Sequence, residues 1–248
     1  EHRGKFLKLA VTVSNWEELQ VGHEWWLEAP HQRVFLPRSE CGRWAWYRLL
    51  HKEKMKFNFF REDEGTCLDQ PLLSEWTLFD SNFTKGFCAV LGDPVDHSLT
   101  PAEQRPFFKS KGMNVLRVKI KKEEFNEACL QFLTNLGMRA AAVTAPLKEK
   151  AFQMSVERTH RALDLQAANT LSWNGKWWVA DNTDQVGLSR SLKLLAKQQG
   201  LPELNFLKVA IWGGGGTLST LKKIFPNADN FAARTGELRE GGHNPPDR

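Results

Sequence analysis

Residues 208–225 read KVAIWGGGGTLSTLKKIF, and this stretch predicts the fold class. A short apolar run enters four consecutive glycines, and residues 218–225 continue with the spacing of a helix. A strand that leads through a glycine turn into a helix opens a βαβ unit, in which the free N–H groups at the start of the helix attract an anion. The sequence therefore predicts an α/β protein with an anion-binding turn in this region.

The glycine turn fits a dinucleotide fingerprint in part. Gly213 permits the tight turn, and Gly215 and Gly216 let the backbone approach a pyrophosphate, but Leu218 stands where the third glycine is expected. An ordinary glycine-rich turn remains the alternative. In residues 233–235 (ART), Arg234 and the adjacent Thr235 follow the next expected strand, where an arginine suits the 2′-phosphate of NADP; a plain surface arginine is the other interpretation.

Composition and charge exclude several classes of protein. The chain has 248 residues, of which 41% are hydrophobic and 25% charged, which is typical of a globular protein. The net charge of +5 comes from dispersed residues, so we expect no nucleic-acid partner. It is a weak indication of an anionic ligand, and an ordinary solvated surface is the alternative. The sequence has no run of eighteen apolar residues, so it predicts no membrane span. Its four scattered cysteines favour a reducing cytoplasm and no metal site.

Local patterns predict strands that alternate with helices. The apolar run 6–11 predicts a buried strand, Ser14 with Glu17 predicts a helix cap, and residues 33–37 and 56–60 are further strand candidates. Later strand candidates are 87–91, 116–120 and 140–143, and Asn174-Gly175 predicts a hairpin. Residues 100–103 (TPAE) predict a capping box in which Thr100 is the cap.

Four ordered motifs resemble the signatures of shikimate dehydrogenases. They are 92–101 (GDPVDHSLTP), 142–148 (AVTAPLK), 167–170 (AANT) and 180–187 (ADNTDQVG), and the glycine turn and 233–235 follow in the same order. The resemblance covers residues 86 to about 237. It implies a reversible, NADP-dependent reduction of 3-dehydroshikimate to shikimate in aromatic amino-acid biosynthesis.

The resemblance also implies roles for single residues. Ser98 and Thr100 match the hydroxyl pair that holds the substrate carboxylate, and Thr144 and Asn169 match residues that bind the ring hydroxyls. Lys148 and Asp184 match the catalytic pair: oxidation of a secondary alcohol needs a base for the hydroxyl proton, and an amine serves once its pKa is lowered. Two alternatives stay open: a quinate/shikimate dehydrogenase, and a non-catalytic ligand sensor on the same scaffold.

Residues 4–76 resemble the later strands of a type I 3-dehydroquinate dehydratase barrel. The resemblance places Lys8, in the run 7–11 (LKLAV), at the Schiff-base position and Arg48 at the substrate carboxylate, and it matches Thr66 and Gln70 to the substrate loop. A chain that joins this barrel to a shikimate dehydrogenase would be bifunctional, with lyase activity beside the oxidoreductase activity. The alternative is a barrel remnant too incomplete to form a pocket. For Lys8 we expect desolvation by its apolar strand.

Together these interpretations predict an α/β substrate domain plus a Rossmann-type NADP domain, preceded by a partial (β/α)8 barrel. The predicted boundaries are 1–76 for the partial barrel, 77–85 for a linker, 86–185 for the shikimate-binding domain and 186–248 for the start of the NADP domain. Expected partners are the small molecules shikimate and 3-dehydroshikimate. No pattern in the sequence indicates an oligomeric state.

Overall fold

The computed structural model describes residues 6–213 and 217–240, which form an α/β protein. The chain divides into two compact units, with the boundary between Lys150 and Ala151. No helix in the described residues is both long enough and apolar enough to cross a membrane.

The first unit begins with a strand–helix–strand element. Strand β1 (Leu7–Thr12), helix α1 (Trp16–Leu27) and strand β2 (Arg33–Arg38) follow one another, and the two strands pair in parallel. The Asn15 side chain caps α1 by accepting a hydrogen bond from the Glu18 N–H at 2.9 Å. The prediction of Ser14 as the cap was wrong by one residue, because the Ser14 N–H instead donates to the Glu18 carboxylate.

Strand β1 forms where the sequence predicts it, but the prediction of burial was wrong. Leu7 is 53% exposed, whereas Val34 and Phe35 of β2 are buried. The physical reason is that helix α1 packs against β2: a Cβ on Gly22 would overlap the Phe35 ring, so glycine permits this close approach. Among the described residues, β1 has β2 as its only strand partner.

The predicted strand at 56–60 is absent; the chain there is irregular. Asn58 explains why, because its side chain donates to the Arg48 carbonyl at 2.8 Å and accepts from the Phe59 N–H at 2.8 Å. Such local side-chain hydrogen bonds compete with a strand ladder. The rings of Phe59 and Phe60 consequently stay largely exposed.

The remainder of the first unit is built around three parallel strands. Strand β3 (Phe87–Gly92) lies between β4 (Asn114–Lys119) and β5 (Met138–Val143), and all six of its residues are buried. The predicted strands at 87–91, 116–120 and 140–143 are therefore confirmed. The helices of this unit after α1 are α2 (Ala45–Leu50), α3 (Leu73–Leu78), α4 (Thr100–Ser110) and α5 (Glu127–Asn135).

Residues 6–83 pack on residues 86–150 through an interface that we call the seam. The Trp16 ring meets the Phe132 ring edge-on at 6.3 Å, and the His23 ring does so at 5.4 Å. The Arg43 guanidinium binds both carboxylate oxygens of Glu124, at 3.1 and 2.5 Å, and is almost entirely buried. The two sequence segments therefore share one core.

Two buried histidines in residues 6–83 make the protein sensitive to acid. His23 Nδ1 lies 2.8 Å from the Tyr47 hydroxyl, whereas neither ring nitrogen of His51 has a hydrogen-bond partner among the described residues. Burial lowers the pKa of His23 below the ordinary 6.5 and that of His51 well below it. Below pH ~6.5 the unfolded chain therefore binds more protons than the folded one, and the free energy of unfolding falls as the pH falls.

We expect His51→Phe to flatten this pH dependence, because the substitution removes a group that the folded protein keeps neutral. Thermal unfolding midpoints between about pH 7.5 and pH 5 measure the effect. His31→Phe at an exposed position is the matched control and should leave the slope unchanged. A slope in His51→Phe equal to that of the parent protein would show that His51 does not cause the acid sensitivity.

The second unit contains the predicted hairpin. Strands β6 (Glu157–Arg158), β7 (Thr170–Trp173) and β8 (Trp178–Asp181) follow helix α6 (Lys148–Met154), which spans the boundary between the units. Strands β7 and β8 are antiparallel, and Gly175 in the turn between them has φ +99°. The Asn-Gly prediction is confirmed. Helix α7 (His160–Leu165) lies between β6 and β7.

The second unit continues with a strand–helix–strand element. Helix α8 (Asp184–Gln198) and a short 3₁₀ helix (Leu204–Phe206) lead to strand β9 (Ala210–Trp212), helix α9 (Leu218–Ile224) and strand β10 (Asp229–Phe231). Strands β9 and β10 are parallel, as a βαβ unit requires, and β11 (Leu238–Glu240) adds antiparallel to β10.

Candidate active site

The loop after β3 carries the two hydroxyl residues predicted to hold a carboxylate. The Ser98 hydroxyl accepts a hydrogen bond from the Thr100 N–H at 3.2 Å, which ties the two residues together. Leu99 occupies the cap position of α4 and Thr100 is the first helical residue, so the prediction of Thr100 as the cap was wrong. Its N–H is satisfied by Ser98, and both side chains are half-buried.

Thr144 follows β5 directly and lies beside the end of β3. Its N–H donates to the Leu91 carbonyl at 2.8 Å, and the Asp93 N–H donates to the Ala145 carbonyl at 3.2 Å. A Cβ on Gly92 would overlap the Thr144 methyl group, so glycine permits this close approach. The carboxyl ends of β3 and β5 thus bring the Ser98 loop and the 142–148 motif to the same edge of the parallel strands.

Lys148 is the first residue of helix α6 and is half-buried. The buried Leu147 precedes it, and the Leu147 N–H donates to the Thr144 carbonyl at 3.0 Å. The 142–148 motif is therefore a tight turn from strand to helix that fixes where the lysine side chain begins. Lys148 belongs to the first unit.

Asn169 and Asp184 lie together in the second unit. The Asn169 amide donates to Asp184 Oδ1 at 2.7 Å and to the Thr183 hydroxyl at 2.9 Å. The Asp184 N–H donates to the Asn182 side-chain oxygen at 3.0 Å, and the buried Asn182 amide holds the Ala167 carbonyl at 2.9 Å. The 167–170 and 180–187 motifs therefore form one hydrogen-bonded cluster around the Asp184 carboxylate.

Asp181 supports this cluster by accepting a hydrogen bond from the Asn182 N–H at 2.7 Å, and no sequence pattern predicted a role for it. Its carboxylate accepts hydrogen bonds from the Thr159 hydroxyl at 2.6 Å and from the Arg161 guanidinium at 3.0 and 2.5 Å. The hydrogen bond from Arg161 lowers the pKa of the Asp181 carboxyl, so the carboxylate form is stabilised. The sequence signal for Asp181 was its position inside the 180–187 motif. Its partners Thr159 and Arg161 lie about twenty residues earlier in the chain, so the motif alone does not predict them.

The predicted cofactor residues fall partly inside the described chain. Gly213 follows β9 with φ +113°, a left-handed conformation that favours glycine, and its N–H donates to the Phe231 carbonyl. Arg234 and Thr235 follow β10 and are exposed; the Thr235 hydroxyl donates to the Glu237 carboxylate at 3.0 Å. Gly215 and Gly216 lie outside the described residues.

The predicted dehydratase residues lie in the first unit. Lys8 is exposed, so the expected desolvation was wrong, because β1 lies outside the core; its Nζ lies 5.2 Å from the Phe59 ring centroid. Arg48 is buried, and its Nε donates to Asn58 Oδ1 at 3.1 Å. The Gln70 amide donates to the Thr66 hydroxyl at 3.3 Å. Phe59 is a shared neighbour of Lys8 and Arg48, since the Arg48 guanidinium also reaches its carbonyl at 3.5 Å.

No group of three or more His, Cys, Asp or Glu side chains in the described ranges could hold a metal ion. The candidate site residues described above offer hydroxyl, amide, amine and carboxylate groups. They can bind a polar, hydroxylated anion and exchange a proton with it.

Comparison with known proteins shows which class of domain part of the chain resembles. Residues 90–171 match the family model described as shikimate dehydrogenase substrate binding domain. This range contains Ser98, Thr100, Thr144, Lys148 and Asn169, and Asp184 lies beyond it. The predicted resemblance over this part of the chain is thereby confirmed.

Particular relatives and a solved structure agree with this match. A shikimate dehydrogenase (NADP(+)) from Xanthomonas campestris pv. campestris is 40% identical over 130 residues, which cover 52% of this chain and 44% of the relative. One from Prochlorococcus marinus is 34% identical over 163 residues, covering 58% and 56%. The crystal structure of shikimate dehydrogenase from Aquifex aeolicus matches with a TM-score of 0.52 and 25% identity, over 62% of this chain and 56% of that chain. The chain spans about half the length of the curated relatives that it matches.

Proposed function

We propose that this protein is an NADP-dependent shikimate dehydrogenase, which interconverts shikimate and 3-dehydroshikimate. The proposal rests on the place where the carboxyl ends of β3 and β5 lie side by side. There the backbone hydrogen bonds of Thr144 and Asp93 hold the Ser98 loop beside the 142–148 turn. Both belong to the segment that matches the substrate-binding family model. Relatives that match this segment are named shikimate dehydrogenase (NADP(+)).

The binding chemistry follows from the groups present. Shikimate is a ring that carries a carboxylate and hydroxyls. Ser98 and Thr100 are proposed to hold the carboxylate by hydroxyl and backbone donors, and Thr144 and Asn169 to bind the ring hydroxyls. Hydrogen bonds to an ionised acceptor are stronger than those between neutral groups, so the carboxylate contacts give most of the affinity and the hydroxyl contacts give orientation.

The proton chemistry needs one base. Oxidation removes a hydride from the ring carbon and a proton from its hydroxyl oxygen, and we propose that the Lys148 amine accepts that proton. Asp184, held by Asn169, is proposed to orient the same hydroxyl. In the reverse direction the Lys148 ammonium donates a hydrogen bond to the carbonyl oxygen and then gives it the proton.

The residues present fit a dinucleotide. The parallel β9–α9–β10 element has Gly213 in a left-handed conformation at the end of β9, and Arg234 at the end of β10 forms no ion pair within the described chain. Gly213, Arg234 and Thr235 would hold NADP, and we propose the same role for Gly215 and Gly216. When bound, NADP supplies the hydride acceptor.

Arg234 sets the choice between NADP and NAD in this proposal. We expect Arg234→Ala to weaken NADP by at least about tenfold and to leave NAD affinity nearly unchanged, because only NADP has a 2′-phosphate for the guanidinium to bind. Cofactor titrations followed by fluorescence measure both affinities, and Arg239→Ala is the matched control on the next strand. An equal loss of NADP and NAD affinity in Arg234→Ala would show that this arginine does not discriminate.

We also propose that residues 4–76 are a part of a type I dehydratase barrel. The parallel β1–α1–β2 element supports this, because it is the repeating unit of a (β/α)8 barrel. Lys8 lies on the first strand of that element, and Phe59 is a neighbour of both Lys8 and Arg48.

The dehydratase proposal predicts a covalent adduct. Treatment with 3-dehydroquinate and borohydride should add one reduced substrate to Lys8, because the imine formed by its amine is trapped by reduction. Intact-mass and peptide mapping measure the adduct, with Lys8→Arg as the blank and Lys5→Arg as the matched control. An adduct that persists at the same yield in Lys8→Arg, or no adduct in the parent protein, would contradict a Schiff-base role.

A further inference from the structure

A cavity of about 440 Å³ lies at the seam of the first unit. Its walls come from residues 41–83 on one side and 95–119 on the other, so it exists only because the two segments pack together. Ser98, Thr100, Thr144 and Lys148 do not line it. Cavities of about 300–1,000 Å³ are the usual size for small-molecule sites in proteins.

The charge of the lining is strongly unbalanced. Six basic side chains line the cavity, against two acidic side chains, Glu75 and Asp96. Some of the basic groups are neutralised: Arg117 pairs with Glu75 at 3.1 Å, and Lys119 pairs with Asp96 at 3.4 Å. Arg43, as described above, is paired with Glu124.

Three of the basic side chains have no carboxylate partner among the described residues. Arg105 and Lys109 are one turn apart on α4, so they project from the same face of that helix. Arg61 comes from the opposite segment, and among the described residues its guanidinium donates only to the main-chain carbonyls of Gln70 and Asp63. Cationic groups therefore face the cavity from both segments, and they can bind negative charge at two places.

Most of the remaining lining residues are apolar, and several of them are aromatic. They include Trp46, Leu49, Leu72, Phe79, Phe83 and Leu116. Inorganic phosphate could pair with the cations but would leave the apolar side chains without a packing partner. A neutral ring could pack on the apolar side chains but would leave the two arginines and the lysine without a counter-charge. A planar ring that carries two acidic groups satisfies both kinds of surface.

We propose that the seam cavity binds a small aromatic dicarboxylate, with one carboxylate on Arg105 and Lys109 and the other on Arg61. The ring packs against the apolar wall. None of the residues proposed to bind shikimate lines this cavity, and its occupancy needs neither shikimate nor NADP.

Calorimetric titration of the full chain with isophthalate tests the proposal. Isophthalate should bind with micromolar affinity, and benzoate, with one carboxylate, at least about tenfold more weakly. Malonate, which has two carboxylates and no ring, and benzyl alcohol, which has a ring and no charge, should bind far more weakly still. The double variant Arg105→Gln/Lys109→Gln should lose at least about tenfold in isophthalate affinity.

Two further variants keep the test decisive. Lys121→Gln/Lys122→Gln removes two exposed cations of the same unit that do not line the cavity, and isophthalate affinity should not change. Arg61→Gln on the opposite wall should weaken isophthalate and leave benzoate nearly unchanged, and it replaces the double variant if that protein does not fold. No binding of isophthalate, equal binding of malonate, or equal affinity in all variants would overturn the proposal.

Discussion

Lys148→Ala is expected to lower kcat for shikimate oxidation by about 100-fold or more, with a smaller change in KM. The reason is that the proposed role of Lys148 is to accept the hydroxyl proton in the transition state, whereas the substrate is bound by other groups. Steady-state kinetics with shikimate and NADP measure both constants.

Lys150→Ala is the matched control for this prediction. Lys150 lies on the same helix, two residues further along, and donates to the Lys122 carbonyl at 2.6 Å. Its replacement should change kcat by less than about threefold, since it has no proposed part in proton transfer. A near-normal kcat in Lys148→Ala, or an equal loss in both variants, would mean that Lys148 is not the proton acceptor.

Arg43→Ala is expected to reduce the free energy of unfolding by about 3 kcal/mol, because it leaves the Glu124 carboxylate at the seam without its partner. The two side chains are only 5% and 18% exposed, so water has little access to replace the lost hydrogen bonds. The substitution also removes the donor to the Ser14 carbonyl. Urea unfolding followed by circular dichroism measures the change.

A second arginine–glutamate pair provides the control. Arg33 and Glu28 are joined at the same 2.5 Å as Arg43 and Glu124, but Glu28 is 68% exposed. Glu28→Ala should therefore cost less than about 1 kcal/mol. The double variant Arg43→Met/Glu124→Met should recover most of the stability lost in Arg43→Ala, since it removes both charges. Similar losses in Arg43→Ala and Glu28→Ala would contradict the importance of burial at the seam.

Short-range patterns predict the elements of this fold well. The alternation of Leu116, Val118 and Ile120 with polar residues predicts β4, and the Asn-Gly pair predicts the turn between β7 and β8. These features depend on neighbouring residues in the sequence. The exposure of β1 was not predictable in the same way, because it depends on α1 packing against β2 instead.

The candidate site likewise combines features that neighbouring residues predict with features that depend on distant contacts. The motifs indicated Ser98, Thr144 and Asn169, and the structure places these residues in loops and turns at strand ends. The pairing of Asp181 with Arg161 depends on a helix that starts about twenty residues earlier, and no local pattern predicts it. The seam cavity depends on contacts between residues 41–83 and 95–119, so it too is visible only in the folded chain.

The measurement that tests the central proposal most directly is the formation of NADPH by the protein in the presence of shikimate and NADP. The proposed function predicts that NADPH forms in proportion to the shikimate consumed, that 3-dehydroshikimate is the product, and that Lys148→Ala abolishes most of the rate. Folded protein that binds shikimate but forms no NADPH would contradict the proposed dehydrogenase activity and would favour a ligand-binding role for the same scaffold.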